Sequence, residues 1–194
     1  GVGVALKLAQ ALIETQESEE ENPHTLLEII DLAALGTIAD LVPLVGENRV
    51  IVAHGLKRME KTIHLGLATL LEECGLANKP LTARQIAFMV APRINAAGRM
   101  DSPRAGLELL ITGDEARAKE LARLLSKENT QRQATEKEIL AEAIDMLEQE
   151  PLPRVIVLSA ENWHHGVIGI VASRLVERYY RPVFLIAEEE DIGK

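Results

Sequence analysis

Apolar residues recur at three- and four-residue steps over most of the chain, which predicts a mainly helical structure. The most apolar stretch is residues 26–44, LLEIIDLAALGTIADLVPL, where several helix faces carry apolar side chains. A helix of this kind is expected to lie in a core. Further helices are predicted over residues 1–13, 49–61, 65–74, 83–90 and 103–111.

The longest periodic segment, residues 114–148, predicts a long helix with apolar residues near both ends. Its middle, residues 126–138, is almost entirely polar, which is typical of a helix that bridges two bodies. From Pro151 the pattern changes to a strand at 155–158, a helix at 166–178 and a strand at 183–187. That order predicts a βαβ unit with parallel strands, so the expected fold class is α/β.

Two aspartates interrupt the apolar stretch, Asp31 and Asp40. A carboxylate is rarely buried unless a cation, a metal or several donors hold it. The chain breaks at Pro43, and helices usually end at or before the residue preceding a proline. Asp40 is therefore expected at the C-terminal edge of an element, where α/β folds bind ligands. The alternative is an aspartate that caps a turn or the next helix.

The charge is unevenly distributed along the chain. The 194 residues carry a net charge of −9, yet residues 74–107 hold five cations and one acid, which is +5 − 1 = +4. Such a local excess attracts anions whatever the total charge.

The aromatic content of 3% argues against recognition of bases by stacking, and the single cysteine excludes an internal disulfide or a cysteine-cluster zinc site. No apolar run reaches membrane-spanning length and no secretory signal is present, so a cytoplasmic protein without a membrane partner is expected.

Two segments carry candidate anion-binding residues. In residues 91–104, APRINAAGRMDSPR, Pro92 and Gly98 predict a flexible loop in which Arg93 and Arg99 bracket Asn95. Guanidinium groups suit phosphate oxygens, although a basic loop that is salt-bridged to the acidic surface is an equal alternative. Residues 159–169, SAENWHHGVIG, follow the first strand and open a helix, a position that favours anions and makes His164 a candidate.

Three of these segments together, DLAALGTIADLVPL, APRINAAGRM and WHHGVIGIVASRL, closely resemble the RecJ family of single-strand-specific exonucleases, part of the DHH phosphoesterase superfamily. The resemblance covers essentially the whole chain. It implies that Asp40 is a catalytic metal ligand for Mn²⁺ or Mg²⁺, with Asp31 as the second choice. It also implies that Arg93, Asn95, Arg99, His164 and Arg174 bind single-stranded DNA. The implied domains are the mostly helical C-terminal portion of a DHH domain (1–112), a connecting helix (113–150) and the start of a DHHA1-type domain (151–194).

The resemblance also predicts what the chain lacks. The family's D-x-D and Asp-His-His motifs should precede Gly1, and its G-G-H motif should follow Lys194; neither D-x-D nor Asp-His-His occurs here. The family digests DNA 5′→3′ in recombination and repair, and single-strand-binding protein and a helicase are further implied partners. One aspartate cannot hold two metals, so the chain alone is expected to be inactive. The rival interpretations are a non-catalytic replication scaffold and an oligoribonuclease or nucleotide phosphatase of the same superfamily.

Overall fold

The structure is a computed structural model and describes residues 1–16, 24–100, 102–149, 151–189 and 192–194. The helices are α1 (Val2–Gln16), α2 (His24–Glu28), α3 (Ile30–Ala39), α4 (Gly46–Met59), α5 (Leu65–Glu73), α6 (Ala83–Gln85), a π-helix (Ile86–Val90), α7 (Ala91–Met100), α8 (Arg104–Ile111), α9 (Glu115–Glu148) and α10 (His165–Tyr179). The strands are β1 (Ile156–Ala160), β2 (Val183–Glu189) and β3 (Ile192–Gly193). The predicted α/β class, helical first and βαβ afterwards, is confirmed.

The chain divides into two compact units. The first consists of Gly1–Asn95 and Pro103–Ser126, and the second of Ala96–Ser102 and Lys127–Lys194. Helix α9 therefore contributes to both units, and the division falls after Ser126. The assignment of residues 1–112, 113–150 and 151–194 to the domains of a known superfamily stays a prediction.

The core of the first unit is built around α3, which packs on α4. The buried side chains at this contact are Ala33, Ala34, Leu35 and Ile38 of α3 and Ile51, Val52 and Met59 of α4. Gly55 lies where the two helices approach most closely, because a Cβ built there would be 2.2 Å from the Ala34 Cβ and 2.6 Å from the carbonyl oxygen of Ile30. A glycine at this point lets the two backbones come together.

The apolar stretch predicted as a single helix is broken near its start. The backbone bends at Ile29, so α2 ends at Glu28 and α3 begins at Ile30. The predicted end before Pro43 is confirmed, since α3 stops at Ala39 with Asp40 as its C-cap. Of the two aspartates, Asp31 is buried, whereas Asp40 is exposed.

The second unit contains the predicted βαβ motif. Strands β1 and β2 are parallel, with Ile156 opposite Val183 and Ala160 opposite Ala187, and α10 connects them. The short strand β3 adds to β2 in the antiparallel direction and was not predicted. One face of the sheet packs on α10 and on the second half of α9, around the buried side chains Ile139, Ala143, Ile156, Trp163, Val167, Val171 and Leu175.

The long helix α9 is confirmed, but its polar middle is not a uniformly solvated surface. Asn129 and Glu136 are 6% and 4% exposed, and they lie at helical spacing between the buried residues Leu125 and Ile139. The buried stripe of α9 therefore continues through residues 126–138 with polar side chains in it.

Part of the sequence lies outside the described residues. It includes most of residues 14–24, which are rich in glutamate, and Asp101, the only acid of the basic stretch at residues 74–107. Within the described ranges, the helices include none with the length and apolar character needed to span a bilayer.

Replacing Gly55 by alanine is expected to lower the free energy of unfolding by about 2 kcal/mol, because the new methyl group overlaps the Ala34 side chain and a backbone carbonyl that cannot move freely. Gly113→Ala is the matched control, since no atom lies within 4 Å of the point where its new Cβ would stand and its φ is not in the left-handed region. Urea denaturation of both variants measures the difference. Equal stabilities would contradict the close contact of α3 and α4.

Candidate functional site

Asp40 lies at the negative end of a helix. It is exposed and follows the last residue of α3, and Leu41 then reverses the chain with φ of 51°. Within the described residues, no donor or cation contacts its carboxylate. The carbonyl end of a helix carries partial negative charge, which disfavours a carboxylate and favours a cation beside it. The local electrostatics therefore suit a positively charged ligand at Asp40.

Asp31, at the opposite end of α3, has its oxygens already engaged. Its Oδ1 accepts a hydrogen bond from the backbone N–H of Leu32 at 2.7 Å, and its Oδ2 accepts one from the Thr62 hydroxyl at 2.5 Å. The Nε2 of His64 lies 3.4 Å from Oδ1. Nine residues of helix separate the two aspartates by about 13 Å, too far to share one ion. The contacts of Asp31 thus favour a structural role, and its role as a second metal ligand stays a prediction.

A complete metal site is not found in the described part of the chain. No three histidine, cysteine, aspartate or glutamate side chains lie close enough there to hold an ion. The donor type at Asp40 fits Mg²⁺ or Mn²⁺, which prefer carboxylate oxygen. At Asp40 the described residues thus offer such an ion a single carboxylate ligand.

The arginine segment forms a helix, and the prediction of a loop at residues 91–104 was wrong. Pro92 lies inside a continuous helical run from Ala83 to Met100, and Gly98 is exposed. The preceding turn is a π-helix, Ile86–Val90, a rare form that is frequent at functional sites. Ala96 and Ala97 are fully buried, so the small residues serve packing.

Arg93 stabilises this irregular turn. One terminal nitrogen donates to the Met89 carbonyl, and its Nε donates to the Ser126 hydroxyl at 3.0 Å. Both acceptors are neutral, so these contacts differ from the salt-bridged basic loop that was the alternative. Within α7, Asn95 and Arg99 share a face at i and i+4, while Arg93 points away from that face. Both Asn95 and Arg99 are exposed.

Asn95 borders an apolar concavity of the first unit. The concavity has a volume of about 330 Å³ and is lined by Val2, Leu32, Leu35, Gly36, Ala39, Ala91, Ile94, Asn95 and Leu110. Asn95 is the only polar side chain among these residues, and Ala39 immediately precedes Asp40.

In the second unit, the two adjacent histidines have different roles. His164 is the N-cap of α10, and its Nδ1 accepts a hydrogen bond from the backbone N–H of Gly166 at 3.1 Å. In that tautomer the proton is on Nε2, which has no acceptor among the described residues. His165 stacks on His164 with ring centroids 5.1 Å apart, and its Nδ1 lies 3.0 Å from Oε1 of Glu189. Hydrogen bonds from Lys194 and His165 hold the pKa of Glu189 below its usual value.

Arg99 and His164 meet at the beginning of α10. A Cβ on Gly166 would lie 2.0 Å from the Arg99 carbonyl oxygen, so only glycine permits this approach. The Nη1 of Arg99 is 3.5 Å from the Gly166 carbonyl oxygen. The N-terminus of α10 thus carries an imidazole donor and a guanidinium beside the positive end of the helix, a combination that favours anions. Gly166 was missed as a contributor, although the sequence HHG at a helix start was an available signal.

Arg174, further along α10, forms an ion pair through its Nε with the buried Glu136 of α9. Glu136 also pairs with Arg132 at 2.6 Å. Neither Glu136 nor Arg132 was singled out from the sequence, because a polar run on a long helix resembles a solvated face.

Comparison with known proteins gives a consistent result, although no family model matches the chain. The chain is 42% identical over 194 residues to the single-stranded-DNA-specific exonuclease RecJ of Bacillus subtilis, and covers 24% of that protein. It is 42% identical over 188 residues to RecJ of Thermus thermophilus, covering 97% of this chain and 27% of that protein. Escherichia coli RecJ is 36% identical over 203 residues, with 98% of this chain and 35% of that protein covered.

Solved structures agree with the sequences. A crystal structure of Thermus thermophilus RecJ with Mg²⁺ matches 83% of this chain and 25% of that one, with a TM-score of 0.74 and 44% identity. A structure of exonuclease RecJ bound to manganese matches 83% of this chain and 40% of that one, with a TM-score of 0.76 and 44% identity. The resemblance to the RecJ family is therefore confirmed over the whole chain, which spans about a quarter of the length of the first two relatives.

The two aspartates are expected to respond oppositely to the same substitution. Without divalent metal, Asp40→Asn should raise the free energy of unfolding by about 0.5 kcal/mol, because a negative charge leaves the carbonyl end of α3. Asp31→Asn should lower it by about 2 kcal/mol, because Thr62 and His64 lose a buried, charged acceptor. Urea unfolding in the presence of a chelator measures both. A destabilising Asp40→Asn would show that its carboxylate has a stabilising partner.

Proposed function

We propose that this chain is one section of a RecJ-type, single-strand-specific exonuclease that hydrolyses the phosphodiester bonds of single-stranded DNA with Mg²⁺ or Mn²⁺. The observation that carries the proposal is the carboxylate of Asp40, exposed at the negative end of α3 in a chain that resembles RecJ throughout. The 5′→3′ polarity, the role in recombination and repair, and the partnership with single-strand-binding protein and a helicase are proposed from the resemblance alone.

Asp40 is proposed as one metal ligand of a larger set. Bound divalent ions activate water for attack on the phosphate and stabilise the charge on the attacking and leaving oxygens. The role of this chain is to hold one hard oxygen donor at the end of α3, a helix that packs closely on α4 at Gly55. The small number of donors in the described residues supports the expectation that the chain alone does not hydrolyse DNA.

The N-terminus of α10 is proposed as a phosphate-binding site for the DNA strand. His164 contributes its Nε2–H, Arg99 its guanidinium, and α10 the partial positive charge of its N-terminus. None of these groups reads a base, which suits an enzyme that acts on any sequence. Asn95 and Arg174 are proposed as further DNA contacts, since both side chains are exposed. Arg93 supports the site mainly through the backbone that it stabilises.

Metal-dependent cleavage tests the role of Asp40. In the full-length protein, Asp40→Asn is expected to reduce hydrolysis of single-stranded DNA by at least about 100-fold, because one metal ligand is lost while the fold is retained. Thr62→Val is a stability control, since it removes a partner of Asp31 without touching Asp40. Manganese-dependent cleavage by the 194-residue chain alone, abolished by Asp40→Asn, would contradict the need for further ligands.

The salt dependence of DNA binding tests Arg99. For single strands, each lost phosphate contact reduces the slope of log Kobs against log salt by about 0.7, and Arg99→Ala in the full-length protein is expected to do so. Arg84→Ala is the matched control, because it removes another exposed arginine of the same basic stretch. Arg93→Ala should mainly lower stability, since the Met89 carbonyl and the Ser126 hydroxyl lose their donor. An unchanged slope for Arg99→Ala would remove Arg99 from the DNA site.

A further inference from the structure

A polar group interrupts the buried stripe of α9 in the second unit. Asn129, Arg132 and Glu136 follow each other at steps of three and four residues, so they lie on one face of the helix. Asn129 and Glu136 are buried, and the side chain of Arg132 is 12% exposed. Charged residues are seldom buried in this way without a specific partner.

Glu136 connects two arginines. Its Oε2 accepts a hydrogen bond from Nη1 of Arg132 at 2.6 Å, and its Oε1 forms an ion pair with Nε of Arg174 on α10. Arg132 also directs its second terminal nitrogen to Oδ1 of Asn129 at 3.4 Å. Each carboxylate oxygen thus serves one guanidinium, which compensates for the unfavourable transfer of the charge out of water.

The cluster of Arg132, Glu136 and Arg174 has an excess of positive charge. Two guanidiniums and one carboxylate sum to +2 − 1 = +1. Arg174 uses its Nε for Glu136, while within the described part of the chain its two terminal nitrogens form no hydrogen bond. Its side chain is 56% exposed. A guanidinium held through Nε keeps its terminal fork in one orientation, and that fork matches two phosphate oxygens.

Arg174 lies on the helix that is already proposed to bind DNA. It follows Gly166 by eight residues, which is about 12 Å along the axis of α10. Because of this separation, the fork of Arg174 would contact a different phosphate from the one at the start of the helix.

We propose that Glu136 is a positioning residue for the substrate's phosphates: it holds Arg174 so that the guanidinium fork is presented, already oriented, to a phosphate of the single strand. This inference rests on the proposed function and names a residue that acts through Arg174 without touching DNA. For the effect of removing Glu136 on DNA binding, the positioning role and simple electrostatics predict opposite results. Removing an acid near a bound polyanion should strengthen binding, whereas losing the orientation of Arg174 should weaken it.

The test compares two carboxylates of α9 in the full-length protein. Glu136→Gln is expected to raise KM for single-stranded oligothymidine about tenfold with kcat within about twofold, and to reduce the salt slope by about 0.7. Glu138→Gln is the matched control: it removes the same charge from an exposed position two residues away, and KM should stay equal or fall slightly.

Further variants separate orientation from folding. Arg174→Ala leaves Glu136 paired with Arg132 and should raise KM to a similar extent, even if Glu136→Gln fails to fold. The double variant Glu136→Gln, Arg174→Ala should have the same KM as Arg174→Ala alone. The reason is that both substitutions remove the same contact, that of Arg174 with a phosphate. Unchanged KM for Arg174→Ala, or equal or tighter binding by Glu136→Gln, would overturn the positioning role. Failure of the unmodified protein to bind or cleave the oligonucleotide would instead overturn the proposed function.

Discussion

The close contact of α3 with α4 constrains the first unit more than any other interaction. Gly55 admits the backbone of Ile30 and the side chain of Ala34, and the helix to which these residues belong, α3, has an aspartate near each end. One end of the helix buries Asp31 against Thr62 and His64, where its charge is satisfied inside the protein. The other end leaves Asp40 in solvent beside the last carbonyl groups of the helix. The same residue type therefore stabilises the fold at one end and is left exposed at the other.

The sequence pattern predicted the larger features because they follow from periodicity. The helical character of the first part, the length of α9, the parallel pairing of β1 with β2 and the end of α3 before Pro43 were all available from residue spacing. The loop expected at residues 91–104 failed for an identifiable reason. Pro92 and Gly98 resemble helix breakers in the sequence, but Pro92 directly follows a π-turn and Gly98 is exposed, and the helix accommodates both.

Burial was the less predictable property, because it depends on neighbours distant in sequence. Asp31 and Asp40 stand in equally apolar surroundings along the chain, and only the three-dimensional contacts distinguish them. The polar middle of α9 was interpreted as a bridge between two bodies, yet Glu136 within it is buried and is paired with Arg132 and Arg174. The approach of the Arg99 backbone to Gly166 was unpredictable for the same reason, since 67 residues separate the two. Candidate residues were thus identifiable from their chemistry, whereas their supporting partners were not.

The π-helix at Ile86–Val90 has a consequence for the surface that follows it. A π-turn closes its hydrogen bond one residue later than an α-turn, so it differs from an ordinary helical turn by one inserted residue. Because each α-helical residue advances the chain by about 100°, loss of that extra residue would rotate all of α7 by the same angle relative to the helix before it. Asn95 and Arg99 would then change direction without any alteration of their own identity. Five apolar residues that precede α7 therefore determine the rotation of this helix about its axis. Through that rotation they also determine the direction of Asn95 and Arg99.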